Sequence, residues 1–156
     1  MLRPNEVVPG PRVHAPGRVL AATVVRFAAR PERLAELHAA FDDFFAAAKV
    51  AHTPVRAADR APLVTAGVEI ATNIIVHACR EVPDSEVGVS LTRFAHSVEI
   101  AFEDVGVPYV VVEATGRGLR LARASVHLLQ YRRDGSINRW HLVRDTGLPA
   151  PEDGEW

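Results

Sequence analysis

The sequence predicts a two-layer α/β sandwich, α+β in class, with helices on one face of a mixed, mainly antiparallel sheet. Three observations point there: strands recur as adjacent pairs with short turns, two amphipathic helical patterns run consecutively, and strand-helix-strand alternation is missing. The last of these argues against a doubly wound parallel fold. At 156 residues, with 48% apolar and 24% charged side chains, the chain suits one domain with a substantial core and excludes a mostly disordered reading.

Residues 1–17 hold Pro4, Pro9, Pro11 and Pro16 with little apolar periodicity, so they read as a flexible N-terminal arm. The domain proper is expected over residues 18–144. From Arg18, "RVLAATVVRFAA" is β-branched and apolar enough for a strand that ends before Pro31. The next segment places Leu34, Leu37, Phe41, Phe44 and Phe45 at three-four spacing, an amphipathic helix with Pro31 suited to its first turn. A second helix is expected from near Asp59 or Pro62 to about Cys79.

"EVGVSLTRF" and "SVEIAFED" are the clearest strands, because Val98, Ile100 and Phe102 alternate with Glu99, Ala101 and Glu103. They read as a hairpin turning near Ala95 to Ser97. An irregular piece follows Asp104, then a short helix, "LRLARASVHLL", and a closing hairpin whose turn holds Asp134, Gly135 and Ser136. Residues 145–156 read as a frayed acidic tail rich in Pro and Gly.

The formal net charge of −1 gives no general pull toward nucleic acid or an anionic membrane, so neither is an expected partner. Prolines interrupt the N-terminus, and no apolar run is read as membrane-spanning, which points to a soluble cytoplasmic protein. Cys79, the only cysteine, excludes an internal disulfide and reads as a small buried hydrophobe. His52 and His96 lack metal-ligand spacing and are read as structural.

Three features carry candidate chemistry. The helical run "VEIATNIIVHA" places Glu69, Asn73 and His77 at steps of four, a polar stripe that faces either water or a ligand. "DVGVP" puts Asp104 at the end of an apolar strand, two residues before Gly106. "TGRGL" sets Gly116 and Gly118 at the entry of a helix, where free N–H groups favour an anion. Singly, these motifs are more often a solvated or partner-facing helix edge, a turn and a helix-entry device. Together, in this order, they favour a site.

On these residues the sequence resembles the GHKL or Bergerat-fold (histidine-kinase-like) ATPases, and within them the bacterial anti-sigma-factor serine/threonine-protein kinases. The resemblance runs from about Arg18 to Arg144. The helical motif matches Glu69 and Asn73, the aspartate-glycine box matches Asp104 and Gly106, and the second glycine box matches Gly116, Arg117, Gly118 and Leu119. It implies ATP or ADP as ligand and Mg²⁺ held by Asn73. It implies Glu69 as catalytic base, Asp104 as acceptor for the adenine amino group, and the second box as phosphate contact. The implied partners are an anti-sigma-factor antagonist as protein substrate and a sigma factor; a homodimer is left open. His77 has no required role.

Two departures stand out. The segment Val107 to Thr115, in the place of the family's ATP lid, is short and apolar and contains neither glycine nor lysine. Near the last strand, where the family tends to place a threonine beside adenine, this chain reads "INRWHL", with Asn138 as the candidate substitute. A partner-switch module of the same fold with weak or no ATP turnover is therefore the alternative, and a small α/β domain of unrelated function a third.

Overall fold

The computed structural model describes residues 17–110 and 116–147, with backbone alone at 116–118. The arm at 1–16, most of the acidic tail and part of the lid segment lie outside the described residues. Five strands form one sheet: β1 (Ala21–Ala28), β2 (Glu86–Phe94), β3 (Ser97–Asp104), β4 (Leu128–Asp134) and β5 (Ile137–Asp145), in the order β1-β2-β3-β5-β4. Every pairing is antiparallel. The two-layer sandwich stands as expected, but the sheet is antiparallel throughout rather than mixed. The two helices between β1 and β2 return the chain to lie antiparallel beside β1, a direction that strand patterns alone do not encode.

A 3₁₀ turn at Pro31–Arg33 leads into α1 (Leu34–Val50), as Pro31 predicts. Leu37, Phe41 and Phe44 are buried, and Phe45 packs at the edge of the same cluster. α2 (Ala57–Asn73) starts earlier than Pro62 would suggest, with that proline inside the helix. Beyond Asn73 the helix widens into one π-helical turn, Ile74–Ala78, in which the Cys79 N–H donates to the Ile74 carbonyl at 2.8 Å.

α3 (Gly116–Ser125) ends four residues before the expected limit, and the chain enters β4 at Leu128. The helices supply the second layer: α1 packs on β1 and β2, and α2 on α3 and β5. Against them the sheet turns Val87, Val89 and Leu91 of β2, Val98, Ile100 and Phe102 of β3, and Trp140 and Leu142 of β5. Gly67 lets α2 approach α1, since a Cβ there would lie 2.7 Å from the Phe41 ring. Gly135 takes φ +59° in the β4–β5 turn, a conformation that favours glycine.

α2 and its π turn together span 22 residues, Ala57–Ala78, within which an 18-residue window reaches a mean hydropathy of 1.3, long and apolar enough to cross a membrane by length and composition. This corrects the expectation that no run reaches spanning length. Its buried Leu63, Ala66, Ile70, Ala71 and Ile74 belong to the core cluster, which accounts for the same composition.

Candidate functional site

The period-two pattern that buries Val98, Ile100 and Phe102 continues one step and buries Asp104, which is 1% exposed. Its register partner on β5 is Asn138, equally buried. A carboxylate in such a position is costly unless hydrogen bonds compensate it. Oδ1 accepts three: from the Gly106 N–H at 2.9 Å, from Asn138 Nδ2 at 2.8 Å, and a long one from Cys79 Sγ at 3.8 Å. Oδ2 is also buried and accepts none among the described residues.

Gly106 is required by close approach. A Cβ at that position would stand 2.2 Å from the Ala78 carbonyl oxygen, and the next residue, Val107, donates its N–H to the same oxygen at 2.8 Å. The aspartate-glycine turn is thus stitched to the last π-helical residue. Burial pushes the Cys79 thiol up, so it stays protonated as a weak donor toward Asp104.

A cavity of about 210 Å³ opens beside this turn. One wall is the helix, through Asn73, Ile74, His77 and Ala78; another is the strap Val107 to Val110. Tyr131, Asn138 and Trp140 of the sheet complete it. Tyr109, Tyr131 and Trp140 stack edge-on or tilted with centroids 4.8–5.5 Å apart, so much of the lining is aromatic. The volume suits a ring system and falls below that of a pocket enclosing a whole drug-sized ligand. Asp104 itself is not a cavity wall. Because Oδ2 is closed to solvent, an external donor reaches it only when part of the wall moves.

The structure brings together Asn73, Asp104 and Gly106, and adds His77, which is exposed at the cavity rather than packed. Glu69 lies one helical turn before Asn73, half-buried, and does not line the cavity. Gly116 and Gly118 form the first turn of α3, which packs along α2; the Arg117 side chain lies outside the described residues. Leu119 is partly buried against the core.

Sequence reasoning missed Tyr109, Tyr131, Arg133 and Trp140. Tyr131 and Arg133 both donate to Asn138 Oδ1, at 2.6 and 2.8 Å. Asn138 was legible only as a candidate substitute for the family's threonine beside adenine, and its bond to Asp104 Oδ1 was not. Among the described residues, no group of three or more His, Cys, Asp or Glu could hold a metal ion alone. An ion bound through Asn73 would need further ligands from its own substrate.

An antiparallel sheet under helices, with an aspartate-glycine turn docked against an asparagine-bearing helix end, defines a GHKL-type domain. A model of the histidine kinase-like ATPase domain matches residues 27–143, and the chain belongs to that family of ATP-binding domains. Among solved structures it is similar to the RsbU and RsbW domains of Rv1364c from Mycobacterium tuberculosis. That match has a TM-score of 0.57 and 18% identity over 81% of this chain. The chain spans only 33% of that longer one. A search of the curated proteins gave no significant match.

Proposed function

We propose that this chain is an anti-sigma-factor serine/threonine-protein kinase that phosphorylates an anti-sigma antagonist and controls a sigma factor by partner switching in the cytoplasm. One observation carries the reading: a buried aspartate keeps one oxygen without a partner among the described residues, beside a cavity walled by Asn73. An orphaned acceptor of this kind calls for an external donor, and the adenine amino group of ATP or ADP is one. Gly106 fits as well, because its missing side chain lets the turn close on Ala78. The fold likeness to RsbU and RsbW domains supports partner switching.

The chain's residues divide the work. Asp104 Oδ2 receives the base, and the aromatic and apolar walls exclude water from it. Asn73 would hold Mg²⁺ through its amide oxygen. With the phosphates, that ion supplies neutralisation of developing negative charge. The backbone N–H groups of Gly116, Arg117, Gly118 and Leu119, at the N-terminus of α3, would donate to the phosphates. Glu69 takes the proton from the attacking hydroxyl of the protein substrate. Its place outside the cavity suits a base that meets a second protein rather than the nucleotide.

The short, apolar lid segment without glycine or lysine favours the second reading, a nucleotide-binding partner-switch module with weak or no ATP turnover. Labelled ATP, the candidate antagonist and the Glu69→Gln variant separate the two. The kinase reading expects transfer by the wild type and a loss on the order of 10²-fold or more in the variant, with nucleotide affinity unchanged. Equal transfer by both would remove Glu69 from the mechanism. Binding without transfer by the wild type would favour the module.

A further inference from the structure

We propose that Tyr109 is an autoinhibitory plug: in the free chain its ring holds the aromatic wall of Tyr131 and Trp140 on which a nucleotide base would stack, so the site opens only when the strap from Val107 to Val110 lifts. The inference rests on the nucleotide-site reading above and adds the contact that regulates it.

The route to Asp104 runs along the sheet. Asn138 is the register partner of Asp104, Trp140 is the next inward residue on β5, and Tyr131 pairs with Trp140 from β4. All three line the cavity. A flat ring that enters along this wall meets two aromatic side chains, a surface that suits any base. Tyr109 already occupies it. Its ring stands edge-on, 5.5 Å from Tyr131 at 64° and 5.0 Å from Trp140 at 69°.

The walls of the cavity differ in how firmly they are fixed. Ile74 on the helix side is 1% exposed, and on the sheet side Asn138 is 1% and Trp140 4% exposed, so neither wall moves without disturbing the core. The strap is another matter: Val107, Pro108 and Val110 are exposed and Tyr109 is half-buried. Val107 is pinned twice, donating its N–H to the Ala78 carbonyl at 2.8 Å and accepting from Asn138 Nδ2 at 3.0 Å. Pro108 brings no N–H. The next hold is Tyr109, which donates its N–H to the Tyr131 hydroxyl oxygen at 2.9 Å and makes both ring contacts. Tyr109 is the latch, and the backbone after Val107 is the hinge.

With the latch shut, Asp104 Oδ2 is closed to solvent and the cavity of about 210 Å³ is smaller than a whole nucleotide needs. Two ring contacts and one hydrogen bond of ordinary strength hold the open form to a minor population, roughly 1–10%. Apparent affinity for a ligand that needs the open form falls by that same fraction.

The test measures ADP binding in the presence of Mg²⁺, by calorimetry and stopped-flow fluorescence, for the wild type, Tyr109→Ala and Tyr109→Phe. Removing the plug should tighten ADP by about tenfold to a hundredfold, the inverse of the open fraction, through faster association with dissociation unchanged. Tyr109→Phe keeps the ring and the N–H and should bind as the wild type does. In the wild type, nuclear Overhauser contacts between the Tyr109 and Trp140 rings should be present in the free chain and vanish on saturation with ADP.

If Tyr109 were instead one side of a sandwich around the base, Tyr109→Ala would weaken ADP. Weaker or unchanged binding by that variant overturns the plug while leaving the nucleotide site standing. Ring contacts that persist in the saturated wild type overturn it as well, and that measurement decides if Tyr109→Ala does not fold. Binding by Tyr109→Ala alone would support both the plug and the site, whereas no binding by either protein at millimolar ADP removes the underlying reading and the plug with it.

Discussion

Gly106 shows how narrowly one residue can be constrained. A methyl group there would meet the Ala78 carbonyl at 2.2 Å, a backbone atom that cannot rotate away, and would part the aspartate turn from the helix. At Gly67 the added methyl would meet the end of the Phe41 ring at 2.7 Å, inside a core that can repack. Gly106→Ala should therefore destabilise by about 3 kcal/mol or more, beyond the ~1–3 kcal/mol usual for overpacking, and Gly67→Ala should stay within that range. Urea unfolding of both variants checks the order. At this scale the sequence exposed Asp104, Gly106 and Asn73, because each stands in a motif of fixed local spacing. Tyr131 and Arg133 were hidden, and Asn138 showed only as a substitute for the family's threonine, since the contact of Asn138 with Asp104 depends on the register between β3 and β5, and that of Tyr131 and Arg133 with Asn138 on the register between β4 and β5.

Among the elements, β2 and β3 were legible to the residue because strict alternation has one reading. The segment after α3 was not. "SVHLL" continues a helical apolar pattern yet suits a strand, and pairing of Leu128 with Val143 decides for the strand. The π turn at Ile74–Ala78 was equally invisible, as Glu69, Asn73 and His77 at steps of four read as plain α-helix. It is defined by the Cys79 N–H reaching back five residues, and its end meets the aspartate-glycine turn.

The strand ends also carry a pH response. His127, just before β4, accepts the Asp145 N–H on Nδ1 at 2.9 Å, and burial holds its pKa below the usual 6.5. The unfolded chain therefore binds the proton more readily than the folded one. The stability contributed by neutral His127 is fully present above about pH 6.5 and is lost as pH falls from there through the lower folded pKa. Denaturant titrations between pH 7.5 and 5 should show stability falling with acidity, and His127→Gln should flatten that slope. An unchanged slope would assign it to other groups.

For the whole molecule, two layers were predictable because apolar residues fall on one side of each strand and one stripe of each helix. The two hairpins were read as antiparallel from their short turns, but the direction of the β1–β2 and β3–β5 pairings was not legible, since alternation is the same for a strand run either way. The packed layers bring a helix end, a strand end and a neighbouring strand to one cavity, which is proposed to take a nucleotide. Titration of Mg²⁺ with ADP or ATP, followed by calorimetry and thermal melting, tests it most directly. Wild-type protein should bind with heat and gain melting temperature by mass action, Mg²⁺ should strengthen the binding, and Asp104→Asn should weaken it roughly tenfold or more without loss of fold. No heat and no melting shift at millimolar nucleotide, from protein that is folded and monodisperse, would contradict the claim.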